Sequence, residues 1–221
     1  MMAINTITSA SLLACDLADI KNEMKRCRTA GVDWIHFDVM DGVFVDQITY
    51  GAPVLKCVRA ATDMFLDVHL MVEKPFRQIE YFAAAGAGLV DIHIESDCDI
   101  PAAMKLIREK GMKSALALKP ATPIEMVYEY LPLCDMVLVM TVEPGYGGQG
   151  FIPETADKIR ALRSYADSSG FSSLDIEVDG GINDRTAHIV RDAGANVLVA
   201  GTGLFRAEDM AAADRRLKGL E

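Results

Sequence analysis

His36, Asp38, His69 and Asp179 are side chains of the metal-ligand type, each near the C-terminal end of an apolar, strand-like run. His36 and Asp38 lie in Trp34-Ile35-His36-Phe37-Asp38-Val39-Met40, where the two-residue period of a strand turns both to one face. His69 holds the equivalent place in Phe65-Leu66-Asp67-Val68-His69-Leu70-Met71, and Asp179 ends Leu174-Asp175-Ile176-Glu177-Val178-Asp179 ahead of Gly180-Gly181. Two imidazoles and two carboxylates make a four-coordinate site for zinc or a similar divalent ion. Any one of them alone would read more simply as a core histidine or a helix cap. Four at strand ends, two of them at i and i+2, point to chemistry.

The stretch Thr141-Val142-Glu143-Pro144-Gly145-Tyr146-Gly147-Gly148-Gln149-Gly150 is too rich in glycine for an ordinary short connection. Glycines let backbone N–H groups approach an anion and form a nest around it. Gly180-Gly181 and Gly201-Thr202-Gly203 repeat the device after the two following strand-like runs, so three loops could share one phosphate.

These groups need elements to hold them, and a weak internal repeat supplies the pattern: a helical stretch ends in Gly and an apolar strand follows. Its instances are Ala30-Gly31, Ala85-Gly86, Lys110-Gly111 and Ala193-Gly194, which precede strands at Trp34–Met40, Leu89–Glu95, Ala115–Leu118 and Val197–Ala200. Further strands at Ile7–Leu13, Phe65–Met71, Met136–Val142 and Leu174–Asp179 bring the number to eight. Helical patterns alternate with them near 16–30, 52–62, 76–85, 101–110, 124–131, 154–168, 184–193 and 208–218. Ile20, Met24 and Cys27 form one apolar stripe and Ile159, Leu162 and Ala166 another, with Asp16 as N-cap of the first helix and Pro153 in the opening turn of the sixth. Nearly continuous apolar strands alternating with helices predict a parallel sheet, and eight such units predict a single (β/α)₈ TIM barrel over residues 1–221. In that fold functional groups gather at the C-terminal strand ends, where Ser11, His36, Asp38, His69 and Asp179 fall.

The bulk composition narrows the partners. With 221 residues, 51% of them hydrophobic, the chain can build one large core, and no Pro/Gly/Ser-rich linker divides it. A formal net charge of −10 argues against a nucleic-acid or anionic-membrane surface, so an anionic substrate must be held by a local device. Met1 to Ala14 lacks the basic start of a signal peptide and no apolar run is long enough to cross a membrane, which makes the cytoplasm the expected compartment. Cys15, Cys27, Cys57, Cys98 and Cys134 are odd in number and contain no CxxC, as expected of reduced, mostly buried thiols. His93 and Glu95 read equally well as structural residues and as lining behind the ligands. Asp41 caps or orients the turn into Gly42, and His188 reads as a solvated helix residue.

With ligands, barrel and glycine loops in place, the sequence resembles the ribulose-phosphate 3-epimerase family from about Ile7 to Leu217. The carriers are Ser11-Leu12-Leu13-Ala14-Cys15-Asp16, His36-Phe37-Asp38-Val39-Met40-Asp41-Gly42, Leu66-Asp67-Val68-His69-Leu70-Met71, Pro120-Ala121-Thr122-Pro123, Pro144-Gly145-Tyr146-Gly147-Gly148-Gln149 and Glu177-Val178-Asp179-Gly180-Gly181. The resemblance implies a barrel of the ribulose-phosphate-binding type. It also implies a divalent ion, zinc first and Fe²⁺, Co²⁺ or Mn²⁺ as alternatives, on His36, Asp38, His69 and Asp179. Asp38 and Asp179 would double as the acid/base pair, and Ser11 and His69 would contact the substrate. Gly145, Tyr146, Gly147, Gly148, Gly180, Gly181, Gly201 and Thr202 would surround its phosphate. Met40, Met71 and Met140 match the family's thioether positions near the reacting carbons, although Met is also a common core filler. Val43, Lys119, Glu143 and the ending Gly201-Thr202-Gly203-Leu204-Phe205 depart from the commoner pattern and bear on substrate fit.

The implied activity interconverts D-ribulose 5-phosphate and D-xylulose 5-phosphate by inverting C3, a step of the pentose phosphate pathway. Two acid/base groups on opposite sides of the carbon suffice, one removing a proton and the other returning one. A cation would stabilise the intervening enediolate. A sister group acting on D-allulose 6-phosphate shares the metal site and keeps the six-carbon substrate open. A phosphate-binding barrel lyase or decarboxylase is a second reading, for which Lys119 is the only strand-end lysine, and a non-catalytic phosphosugar-binding protein is a third. A homo-oligomer is the expected assembly.

Overall fold

The structure, a computed structural model, describes residues 5–221; residues 1–4, which open the expected domain, lie outside the described residues. The strands are β1 (Ile7–Ser11), β2 (Trp34–Met40), β3 (Phe65–Met71), β4 (Leu89–His93), β5 (Lys113–Leu118), β6 (Met136–Met140), β7 (Asp175–Asp179) and β8 (Val197–Ala200). Each pairs in parallel with the next in chain order, and β8 pairs with β1 to close the barrel. The expected (β/α)₈ architecture is the observed one.

Strand parity divides the side chains. Ile35, Phe37 and Val39 of β2 and Leu66, Val68 and Leu70 of β3 join the main core outside the barrel, packed with helix residues such as Leu55, Val58 and Phe82. Each fully buried side chain of this size stabilises the fold by about 1.5–3 kcal/mol. The alternate residues turn inward. Trp34, Phe65, Leu89, Ala115, Met136 and Val197 make an apolar floor. The polar residues His36, Asp38, Asp67 and His69 continue the same inward parity on β2 and β3 and are almost fully buried. Registry sets their neighbours: His36 lies beside Asp67, Asp38 beside His69, and Met140 beside Asp179.

Helices α1 (Ile20–Ala30), α2 (Ala52–Ala61), α3 (Ile79–Ala85), α4 (Ile100–Glu109), α5 (Thr155–Ser168), α6 (Ala187–Ala193), α7 (Thr202–Phe205) and α8 (Met210–Lys218) accompany the strands. Met24 and Cys27 of α1 and Ile159, Leu162 and Ala166 of α5 are buried, as their stripes predict, while Ile20 is half-buried. The helix-ending Gly31 and Gly194 have φ of 90° and 111°, left-handed values that an L side chain rarely adopts.

Four expectations need correction. The helix expected over 124–131 is a 3₁₀ stretch, Ile124–Leu133, because Pro132 lacks the N–H for an α-helical bond and its ring crowds the preceding turn. Asp16 caps the 3₁₀ turn Leu17–Asp19 through Ala18 N–H, and α1 starts only at Ile20. Pro153 lies just before α5, whose N-cap is Glu154. The cysteines are all free, as expected, but only Cys27 is buried and Cys57 is exposed. Burial pushes the Cys15, Cys27 and Cys134 thiols up to about 12, far from the range of a nucleophilic thiolate.

Candidate active site

Ligand atoms of His36, Asp38, His69 and Asp179 all lie within 4.8 Å of one another at the C-terminal mouth of the barrel. Asp38 Oδ1 sits 3.3 Å from His36 Nε2 and 3.4 Å from His69 Nδ1, yet both nitrogens are buried without a hydrogen bond. Four ligands at metal distances of about 2.0–2.1 Å in a tetrahedron are separated by about 3.3 Å, so these residues fit a divalent ion. Behind the cluster, His36 Nδ1 is 2.6 Å from Asp67 Oδ2. In the field of the protein's own groups, burial works against a charged His36, but Asp38 and Asp67 outweigh it and hold the ring well above the usual imidazole range. With Asp67 as acceptor of the Nδ1 proton, the nitrogen left to meet a cation is Nε2, which faces Asp38.

The electrostatics set the two aspartates apart. Burial works against a charged Asp38, but His36 and His69 outweigh it and hold the carboxyl well below the usual carboxylate range. Burial together with the charge of Asp38 pushes Asp179 up to about 7. Two neighbouring carboxyls with separated proton affinities are the pattern of an acid/base pair. His69 is pushed down to about 4, mainly by burial, and is a neutral imidazole at physiological pH. Ser11 Oγ donates to Asp38 Oδ2 at 2.7 Å and fixes the carboxylate's orientation.

Over this cluster opens a cavity of about 520 Å³, the size of a small-molecule site. Ser11, Asp38, Met40, Met71, Met140 and Asp179 line its deep end. Its outer wall is made by Gly145, Tyr146, Gly147, Gly148, Gly180, Gly181, Gly201 and Thr202. The glycine loops are tied down. Gln149 Nε2 donates to the carbonyls of Glu143 and Tyr146 at 2.6 and 2.9 Å, and Asn183 Nδ2 and Thr186 Oγ1 donate to Gly181 O at 3.0 and 2.9 Å. Gly181 has φ +68°, and a Cβ there would stand 2.5 Å from Phe151 N, so no larger residue fits the turn.

The sequence matches the description "Ribulose-phosphate 3 epimerase family" over residues 7–205. The chain belongs to the ribulose-phosphate 3-epimerase family. It is 44% identical over 209 residues to the ribulose-phosphate 3-epimerase of Bacillus subtilis, covering 95% of this chain and 96% of that one. It is 42% identical over 214 residues to the enzyme of that name from Synechocystis, covering 96% and 93%. Among solved structures, KGPDC from Streptococcus mutans superposes with a TM-score of 0.70 at 15% identity over 97% of this chain and 96% of that one. The 3-keto-L-gulonate-6-phosphate decarboxylase of Vibrio cholerae gives 0.70 at 14% identity over 98% of each. At such identity these two speak for the fold alone.

Most segments that carry the family resemblance converge on the cavity, whereas Asp16 and residues 120–123 do not line it. His36 and His69 belong to the cluster but are fully buried behind the cavity wall; Asp38 and Asp179 reach into the cavity. Of the departures, Glu143 lines the cavity, whereas Val43 is 72% exposed and Lys119 Nζ rests 4.0 Å from the centre of the Phe44 ring; neither lines the cavity. Asp41 orients its turn, accepting from Val43 and Phe44 N–H and, from the neighbouring loop, Glu73 N–H, each at 2.8 Å. His188 is exposed as expected.

Sequence reasoning missed Asp67, Asp91 and Glu177, three fully buried carboxyls inside the barrel. The signal was present: Asp67 precedes His69 by two residues, Asp91 precedes His93, and Glu177 precedes Asp179, so each pair faces inward. Burial and the charge of Asp67 push Asp91 and Glu177 well above the ordinary carboxylate range, which keeps them as neutral acids. Arg206 was missed too. It lines the cavity beside Gly201 and Thr202, and no carboxylate pairs with its guanidinium among the described residues.

Proposed function

We propose that this chain is a ribulose-phosphate 3-epimerase that inverts C3 between D-ribulose 5-phosphate and D-xylulose 5-phosphate, within a single domain spanning residues 1–221. Membership of the family makes it an isomerase. The observation that carries the reading is the pair Asp38 and Asp179, two carboxyls of unlike proton affinity projecting from non-adjacent strands into one small cavity. In our reading the ionised Asp38 removes the C3 proton from one face while protonated Asp179 delivers its own to the other, and the roles exchange in the reverse direction. Each transfer contributes about 10²–10⁴-fold. Ser11 holds Asp38 Oδ2, and Met40, Met71 and Met140 keep water from the deep end of the cavity. His36, Asp38, His69 and Asp179 would hold a divalent ion, zinc first and Fe²⁺, Co²⁺ or Mn²⁺ as alternatives. Such an ion supplies Lewis-acid stabilisation of the charge that develops on the C2 and C3 oxygens.

The glycine loops and Gly201-Thr202 receive the phosphate in this reading, and Arg206 adds a cation to an otherwise acidic protein. Arg206→Ala is therefore expected to raise KM about tenfold with kcat nearly unchanged. A fall in kcat at constant KM, measured by steady-state kinetics, would place Arg206 outside phosphate binding. The lyase reading loses ground because Lys119 packs on Phe44 rather than lining the cavity. A homo-oligomer in the cytoplasm is the proposed setting; among the described residues no helix is long and apolar enough to cross a membrane.

The test is epimerisation of D-ribulose 5-phosphate and of D-allulose 6-phosphate in D₂O, with deuterium at C3 read by NMR. Faster turnover of the pentose with C3 labelling is the expected result. A large preference for the hexose would move the assignment to the sister activity, and absence of label in both would overturn the mechanism.

A further inference from the structure

The two ring nitrogens of His69 face different partners. Nδ1 lies 3.4 Å from Asp38 Oδ1 and has no hydrogen bond, whereas Nε2 is 2.8 Å from Nε2 of His93. Two neutral imidazole nitrogens in that contact share one proton, so one must donate and the other accept. On the Nε2 side nothing else decides which, since Asp91 Oδ1 stands 3.7 Å from His69 Nε2, beyond hydrogen-bond reach; on the Nδ1 side Asp38 Oδ1, at 3.4 Å, makes no hydrogen bond with the ring.

The choice is made one residue further out. His93 Nδ1 lies 3.0 Å from Glu95 Oε2. The other oxygen, Glu95 Oε1, accepts the Lys119 N–H at 2.8 Å and the Thr122 hydroxyl. A carboxylate engaged in this way has no proton to give, so His93 Nδ1 donates to it and His93 Nε2 becomes an acceptor. His69 must then donate from Nε2, and its lone pair is left on Nδ1. The rings cannot turn to water to escape this order. Both are fully buried, they stack at 5.0 Å between centroids, and the Phe44 ring lies 4.8 Å from that of His93.

We propose that Glu95 is a positioning residue that acts through His93 to hold His69 as its Nε2–H tautomer, presenting the Nδ1 lone pair to a divalent cation. His36 reaches the equivalent state by direct contact with Asp67, so each histidine has a carboxylate behind it, one adjacent and one relayed. The inference rests on the reading of His36, Asp38, His69 and Asp179 as a metal site.

Glu95→Gln tests the relay without changing its shape. The amide oxygen can keep the Lys119 and Thr122 contacts, and the amide nitrogen then donates toward His93 Nδ1. That reverses the order, placing the proton on His69 Nδ1, where it blocks the cation. Two measurements are needed: Zn²⁺ affinity by competition with a chromogenic chelator, and the ¹⁵N shifts of His69 in the metal-free protein. Wild type is expected to show the Nε2–H tautomer, and the variant the Nδ1–H tautomer with Zn²⁺ affinity about 10–100-fold weaker. Thr122→Val, which leaves the carboxylate in place, is expected to retain affinity within about twofold. Unchanged affinity in Glu95→Gln, weakened affinity with an unchanged tautomer, or an Nδ1–H tautomer already in wild type would each overturn the relay. Wild type that binds no Zn²⁺ would instead sink the metal reading on which it stands.

Discussion

Replacing Asp38 or Asp179 with Asn is expected to lower kcat by about 10²–10⁴-fold, a loss of about 3–5 kcal/mol of transition-state stabilisation. Asn matches Asp in size, and at position 38 its amide oxygen can still accept from Ser11 Oγ, so with the proposed cation site kept saturated with Zn²⁺ the loss reports proton transfer more than packing or lost metal. A two-sided mechanism makes a sharper demand. Each variant keeps one functional face, so each should still exchange the C3 proton of one epimer with D₂O while failing to interconvert the two. The two variants should differ in which epimer they label. ¹H NMR of each sugar phosphate in D₂O reads this directly. Wild-type turnover in both variants, or labelling of the same epimer by both, would rule out opposed proton carriers at Asp38 and Asp179.

Chelation of the bound cation is the second large effect, with activity expected to fall about 10³-fold as several kcal/mol of charge stabilisation disappear. The protein's own geometry gives the reason: His36 Nε2 and His69 Nδ1 are buried ring nitrogens with no hydrogen bond, and Asp38 and Asp179 add carboxylate oxygens within 4.8 Å. Saturation at 1,000 times Kd should stabilise the fold by about 4 kcal/mol. For a chain of this length that corresponds to a rise in Tm of about 8–16 °C. Calorimetry with and without Zn²⁺, followed by reconstitution with Fe²⁺, Co²⁺ and Mn²⁺ and an activity assay, checks both parts. A fully stripped protein that keeps its turnover would remove the ion from the reaction.

The barrel was legible because its signals are local and repeated. Strand parity at Trp34–Met40 and Phe65–Met71, together with the helix-ending glycines at 31, 86 and 194, needs only backbone geometry to interpret. The 3₁₀ stretch at Ile124–Leu133 was not legible because its apolar spacing is equally that of an α-helix, and Pro132 at its end is the one local sign against it. The burial of the cysteines was not legible because it depends on which face of each element meets the core.

The four candidate ligands, the glycine loops and the family resemblance were therefore legible in the sequence alone, since two-residue spacing and turn chemistry are properties of short segments. Only the tertiary structure decided which groups stand behind them. Asp67 meets His36 because β2 and β3 pair in one register, and a slip of one residue would turn the carboxylate to the outer core. Glu95 reaches Lys119 and Thr122 because β4 and β5 are neighbours, and Arg206 reaches the cavity only once β8 has closed on β1. The proton affinities of Asp38 and Asp179 likewise arise from burial and from charges brought together from β2, β3 and β7, groups that lie far apart in the chain and share a site only after the barrel closes.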